Sequence, residues 1–236
     1  MEEENLELAW HAIVDKPGED KGLSKFSKTA MGEAAEAWDR EAILARTGKL
    51  LRGEYQPPAL HGFVHEDADG GLRPLAAPPL SDRVMQRAVH QTITPALDLL
   101  MNAGSYGYRA GRSRYQVRDR IQSLYRKGYR WVFESDIRSF FDTVAWDKLR
   151  LRLQAVLADP PAVDAIMAWM QAPVQYKGVR IERTRGLPQG SPLSPVLANL
   201  MLDDFDHDLT DAGCRLIRFA DDFVIAAKTK EVAEHG

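Results

Sequence analysis

Helix-period stripes of apolar residues, interrupted by one hairpin signal, organise the first part of this chain. Residues 4–14 read as a short amphipathic helix, followed by a polar loop over 15–28. From 29 to 52 an Ala- and Glu-rich pattern predicts a long helix, stopped by Tyr55-Gln56-Pro57-Pro58 because proline cannot donate inside a helix. Residues 60–66 and 72–77 flank Asp67-Ala68-Asp69-Gly70-Gly71, which is a hairpin signal. Pro78 and Pro79 end it, and Ser81 or Asp82 can cap a helix running to about Met101, with Val84, Met85, Ala88, Val89, Thr92 and Ile93 on its apolar face.

Glycines at 104, 107 and 111 mark a loop ahead of a helix from about Ser113 to Lys127. Residues 131–136 predict a buried strand, and helices follow over 146–157 and 162–171, separated by Pro160-Pro161. A second hairpin is expected from 174–176 and 179–182 around Lys177-Gly178. Gly186-Leu187-Pro188-Gln189-Gly190-Ser191-Pro192-Leu193-Ser194-Pro195 leads into a helix of about 14 residues, whose entrance tolerates proline because the first N–H groups lack intrahelical partners. The last apolar runs, 216–220 and 223–227, fold back at Asp221-Asp222. A strand, two helices and a hairpin, with carboxylates on adjacent strands, predict an α+β palm. No internal repeat, low-complexity tract or interdomain linker is present.

Composition narrows the class. With 236 residues, 44% hydrophobic and 28% charged, the chain can bury a sizeable core. No apolar run reaches membrane-spanning length, and Met1-Glu2-Glu3-Glu4 is the opposite of a basic signal-peptide start. The lone Cys214 excludes an internal disulfide framework and suggests a reducing compartment, so a cytoplasmic location is expected. The net charge of −3 hides an asymmetry: −7 over residues 1–72, +8 over 73–130 and −4 over 131–236. A basic block beside an acidic one suits a polyanion-processing enzyme, although a solvated Arg-rich helix gives the same count.

The acidic part carries the candidate chemistry. Asp136 closes the run Trp131-Val132-Phe133, and Asp221 with Asp222 sits between two apolar runs. A strand-end carboxylate with a carboxylate doublet on a strand–turn–strand offers hard oxygen ligands for two Mg²⁺ ions. Such a pair, roughly 4 Å apart, stabilises both the attacking and the leaving oxygen in nucleotidyl transfer. Only a fold that lays these remote strands side by side can make that site. Plainer readings exist: Asp136 as a helix cap, and the doublet as an ordinary turn. Asp203, Asp204, Asp206 and Asp208 read as a solvated helix face, Asp142 as a cap before Trp146, Phe140 as core and Cys214 as a small buried hydrophobe. The six histidines show no metal-ligand spacing.

The order of motifs resembles the reverse transcriptases of group II introns and their bacterial relatives. Six segments carry the resemblance: Arg73-Pro74-Leu75 with Ser81-Asp82-Arg83-Val84-Met85-Gln86; Ser105-Tyr106-Gly107-Tyr108-Arg109-Ala110-Gly111-Arg112-Ser113; Ser135-Asp136-Ile137; Phe140-Phe141-Asp142; the loop Gly186 to Pro195; and Phe219-Ala220-Asp221-Asp222. It covers roughly residues 60–230. It implies an N-terminal helical extension of the fingers over 1–58, fingers with a basic template-binding face over 59–130, and a catalytic palm over 131–236 whose antiparallel sheet packs on helices. It further implies that Asp136, Asp221 and Asp222 form the metal triad for two Mg²⁺ ions, with Mn²⁺ able to take their place. Phe141 matches the bulky residue that abuts the sugar 2′ position, and Gln189 the glutamine beside that sugar. Arg73 matches the fingers cation on the triphosphate, Arg83 a further phosphate contact, and Arg109, Arg112 and Arg114 a template path. Phe219 stands where the family usually has tyrosine, which is expected to alter fidelity or efficiency more than chemistry.

The implied activity is RNA-directed DNA synthesis from dNTPs on a DNA primer and an RNA template. The alternatives are a nucleic-acid-binding module without complete catalysis, and a template-independent or protein-primed polymerase of a defence system. The chain ends at Gly236, soon after the final hairpin, so a thumb, or an integrase or maturase portion, is expected in residues or a polypeptide beyond it. An intron maturase, a CRISPR-linked enzyme and a defence enzyme share these motifs.

Overall fold

The computed structural model describes residues 3–14, 40–66, 70–230 and 232. The loop expected over 15–28, the first part of the helix expected from 29 and the turn residues 67–69 lie outside the described residues. In chain order the elements begin with α1 (Glu3–Val14), α2 (Arg40–Leu51), β1 (Leu60–Glu66), β2 (Leu72–Ala77), α3 (Leu80–Leu100), α4 (Arg114–Arg126) and β3 (Trp131–Asp136). They continue with α5 (Phe140–Thr143), α6 (Trp146–Val156), α7 (Pro160–Gln171), β4 (Val174–Tyr176), β5 (Val179–Ile181), α8 (Ser194–Asp211), β6 (Arg215–Phe219) and β7 (Asp222–Ala227).

These elements form two compact units, and neither is contiguous. Unit 1 takes Met1–Ile93 and Phe141–Ser194, and unit 2 takes Thr94–Phe140 and Pro195–Gly236. The contiguous division expected from the sequence, at 58 and 130, therefore does not coincide with the compact units.

Unit 1 is built on a four-stranded sheet in the order β2-β1-β4-β5. The first hairpin is antiparallel, with Arg73 opposite His65, whereas β4 joins β1 in parallel. Val84, Met85 and Ala88 on α3 are fully buried, as are Ile166 and Met170 on α7, so the period read from the sequence marks the core face. Helix α7 starts at Pro160, two residues earlier than expected, because Asp159 caps it by accepting from the Ala162 amide at 3.3 Å. Asp82 does not face solvent as a cap. It is buried and accepts from Tyr55 Oη at 2.9 Å and Trp169 Nε1 at 2.8 Å. Burial pushes its carboxyl above the ordinary carboxylate range, while the Trp169 and Tyr55 hydrogen bonds oppose the shift.

Unit 2 is a three-stranded antiparallel sheet, order β3-β7-β6, with α4 and α8 in the same unit. Tyr106, Leu124, Ile217 and Ala226 form a buried cluster, with Val117, Tyr129, Phe219 and Val224 packed against it. Two expectations are corrected here. Strand β3 is not buried: it lies at the edge of the sheet, and Trp131, Val132 and Phe133 are all exposed. The acidic run on α8 is not a solvated face throughout either. Asp204 and Asp208 are exposed, but Asp203 and Asp206 are buried. A carboxylate tolerates that only with a cation or several donors beside it.

Candidate active site

Unit 2 brings the three candidate metal ligands to one end of its sheet. The β3–β7 ladder runs in register from Trp131 opposite Ala227 to Asp136 opposite Asp222. Directly opposed residues share a face of the sheet, with Cα atoms about 4.5–5.5 Å apart. The β6–β7 hairpin closes on Ala220 and Asp221, with Phe219 opposite Asp222. Ala220 is held at φ 63°, a left-handed conformation that costs an alanine about 1–2 kcal/mol.

The strand end at Asp136 is turned sharply as well. Ser139 has φ 50°, and the Phe140 amide donates to the Ile137 carbonyl at 3.2 Å. A bond from the Ile137 amide to the Asp221 carbonyl, 3.3 Å, joins the two carboxylate-bearing turns. Asp136 and Asp222 are exposed, and Asp221 is half-buried.

The donor set fits a hard divalent cation, being carboxylate oxygens on two backbone-fixed turns. Three carboxylates repel one another when no cation lies between them. Among the described residues, no group of three or more His, Cys, Asp or Glu is gathered closely enough to hold a metal by itself. What the fold supplies is adjacent strand ends carrying the three candidate carboxylates.

Unit 1 holds the residues matched to the nucleotide. The Leu187 amide donates to the Phe141 carbonyl at 2.6 Å, and Gln189 Nε2 donates to Asp142 Oδ1 at 3.3 Å. Asp142 is thus a partner of Gln189, whereas the N-cap of α6 is Ala145. The Gln189 carbonyl accepts from the Ala76 amide on β2 at 3.4 Å. Gly190 is required at the same place, since a Cβ there would lie 2.7 Å from the Ala76 carbonyl oxygen. Three residues along β2, Arg73 is exposed. Phe141, Gln189 and Arg73 therefore come from three segments stitched together by backbone bonds.

The sequence reading missed the anchors of that loop. Arg183 donates to the Gly186 carbonyl at 2.9 Å and to the Met170 carbonyl at 2.8 Å, and Trp146 Nε1 donates to the Gly186 carbonyl at 2.8 Å. Burial pushes the Arg183 guanidinium pKa down, and Asp142 opposes that shift. Ser191 Oγ, also buried, donates to Gln86 Oε1 on α3 at 2.6 Å. Periodicity carries no trace of these contacts, because each is a long-range pairing from an irregular segment.

The basic candidates divide. Arg114 is exposed at the first position of α4. Arg112 is half-buried, donating to the Ala103 carbonyl at 3.0 Å with its guanidinium 5.2 Å from the Tyr106 ring centre. Arg109 is corrected: its side chain is 4% exposed and paired with Asp98 at 2.5 Å, and it also donates to the carbonyls of Asn102 and Ser105. With its donors committed inside unit 2, it has no face for a template phosphate. Arg83 is likewise buried on α3, which removes it as a solvent-facing phosphate contact.

Known proteins resemble this chain over most of its length. The family model described as reverse transcriptase (RNA-dependent DNA polymerase) matches residues 65–236. Protein YkfC of Escherichia coli (strain K12) is 33% identical over 166 residues, covering 68% of this chain and 43% of that protein. The group II intron-encoded protein LtrA of Lactococcus lactis subsp. cremoris is 27% identical over 188 residues, 79% of this chain and 31% of that protein. Among solved structures, a chain of a partial Cas6-RT-Cas1–Cas2 complex is 40% identical with a TM-score of 0.55, covering 95% of this chain and 38% of that one. The chain spans less than half the length of each of these proteins.

Proposed function

The chain belongs to the reverse transcriptase family, and on that premise we propose that it is the catalytic part of an RNA-directed DNA polymerase, adding nucleotides from dNTPs to a primer 3′-hydroxyl. The observation that carries this reading is the β3–β7 register, with Asp136 opposite Asp222 and Asp221 in the adjoining turn. Asp136, Asp221 and Asp222 would hold the Mg²⁺ pair. When bound, such a pair makes the primer hydroxyl more acidic and offsets the charge of the departing pyrophosphate.

The remaining work falls to side chains that position and select. The ring of Phe141 occupies space a ribose 2′-hydroxyl would need, penalising the wrong sugar by sterics. Gln189, held by Asp142 and by its own carbonyl on β2, lies beside the sugar. Arg73 offers a planar guanidinium to triphosphate oxygens. Arg112 and Arg114 meet the template backbone, where contacts carry no sequence information.

The likeness over 95% of the chain to the solved Cas6-RT-Cas1–Cas2 chain supports a CRISPR-associated setting, within a longer polypeptide or beside partner proteins. No helix among the described residues is long and apolar enough to cross a membrane.

The test uses the full-length protein that contains this chain. Asp136→Asn and Asp221→Asn should each reduce primer extension on RNA by on the order of 10³-fold or more, that is by several kcal/mol at about 1.4 kcal/mol per decade. Melting temperature and template binding should stay unchanged. Near-normal extension by either variant would overturn the assignment. Omitting the RNA separates copying from untemplated addition, since only the latter leaves product length and composition unaltered.

A further inference from the structure

Arg218, on β6, is completely buried, and all its N–H donors have partners within unit 2. Nε and Nη2 grip the two oxygens of Asp206 on α8 at 2.7 and 2.5 Å, the bidentate arrangement that fixes the plane of a guanidinium. Nη2 also donates to Ser105 Oγ at 2.9 Å, and Nη1 to Asn199 Oδ1 at 2.9 Å. The remaining Nη1 hydrogen goes to the carbonyl oxygen of Ala220 at 2.7 Å.

That last bond is the informative one. Ala220 is the left-handed residue of the hairpin turn, and its carbonyl belongs to the same planar peptide as the Asp221 nitrogen. Fixing that oxygen fixes the peptide plane from which the Asp221 Cα and side chain depart. The frame behind the guanidinium is itself tied down. The Arg218 amide donates to the Gly104 carbonyl and the Tyr106 amide to the Arg218 carbonyl, both at 2.8 Å. Asn199 Nδ2 donates to the Gly107 carbonyl at 2.8 Å. A buried ion pair is weak evidence for stability, because well-packed apolar residues serve as well or better. Stability does not require one of its donors to end on the carbonyl preceding a candidate metal ligand.

We propose that Arg218, held by Asp206, Asn199 and Ser105, is a positioning residue that sets the Ala220–Asp221 peptide and thereby aims the Asp221 carboxylate at the catalytic cation. This rests on the polymerase reading given above. Lysine at 218 keeps the charge but, as a point donor, cannot grip both Asp206 oxygens and reach Asn199, Ser105 and the Ala220 carbonyl together. Asn199→Ala removes one strut and leaves the ion pair intact.

The experiment makes Arg218→Lys and Asn199→Ala in the full-length protein. It measures primer extension, Mn²⁺ binding by electron paramagnetic resonance, and amide hydrogen exchange of the hairpin around Ala220. The proposal expects kcat to fall on the order of 10- to 100-fold for Arg218→Lys, the scale of a misplaced catalytic group. KM for dNTP should stay within about twofold, since uniform binding is untouched. Mn²⁺ should bind more weakly and the turn exchange faster, and Asn199→Ala should show smaller changes in the same directions. Folded variants with parental kcat, Mn²⁺ affinity and turn exchange, even with a lowered melting temperature, would overturn it. If Arg218→Lys does not fold, Asn199→Ala decides alone. If the parent protein extends no primer, the polymerase reading fails, while Mn²⁺ binding and turn exchange still judge the positioning role.

Discussion

Gly107 has no room for a side chain: a Cβ there would sit 2.4 Å from the Ala220 amide nitrogen. The neighbour is backbone of the β6–β7 turn and cannot swing away. Gly107→Ala should therefore cost about 1–3 kcal/mol in overpacking, lowering the melting temperature by roughly 2–12 °C for a chain of this size. Calorimetry checks this, and a parental melting temperature would mean that the loop and the turn can separate freely. At this scale the sequence showed Asp136, Asp221 and Asp222 because each interrupts or ends an apolar run, where a carboxylate needs a reason. It could not show Asp206, Arg109 or Arg83 as buried. Whether a charge goes inside depends on partners that folding brings to it, and an Asp206 whose partner is Arg218 looks locally like Asp204 or Asp208, which face water.

Among the elements, α3 follows its period closely: the expected span of 81 or 82 to about 101 compares with Leu80–Leu100. Apolar spacing did not reveal what lies beside the stripe. His90 has its Nδ1 buried without a hydrogen-bond partner, and burial, helped by the charge of Arg87, brings its pKa down from 6.5 to about 4. The unfolded chain takes up a proton as pH falls through about 6.5, and the folded protein does so only near 4. Stability from this group is thus complete above 6.5 and lost as pH falls toward 4, by on the order of 3 kcal/mol. Asp82 and Asp206, whose carboxyls burial pushes upward, contribute a slope of opposite sign, so the difference between parent and His90→Gln isolates the histidine. Denaturant melts at several values between pH 4 and 7.5 should show His90→Gln gaining on the parent as the medium becomes more acidic. Parallel curves would place the imidazole in contact with water. Strand β3 marks the opposite limit of legibility. An unbroken apolar run predicts burial only if the strand is central, and sheet order, which is long-range, put this one at the edge.

For the whole molecule, the chain leaves one compact unit for the other at Ile93, Phe140 and Ser194. Linear reading divides a chain where composition shifts, and here no linker or shift marks those crossings, which is why the contiguous segments 1–58, 59–130 and 131–236 miss them. The consequence is physical. The expected palm, 131–236, lacks Tyr106 and Leu124, half of the buried cluster beside its sheet. It also lacks Ser105, whose Oγ accepts from Arg218 Nη2, and the Gly104 carbonyl that receives the Arg218 amide. It carries in their place 141–194, whose Trp169 and Ser191 bond to Asp82 and Gln86 on α3, outside that fragment. A fragment of residues 131–236 should therefore show no cooperative thermal transition. Residues 94–140 joined by a flexible Gly/Ser linker to 195–236 keep the sheet, the cluster and the buried ion pair together, and should melt in one step. Circular dichroism followed through heating distinguishes the two. A cooperative melt of 131–236 alone would mean that the cluster around Tyr106 and Leu124 is dispensable, and that the carboxylate-bearing strands hold their register without it.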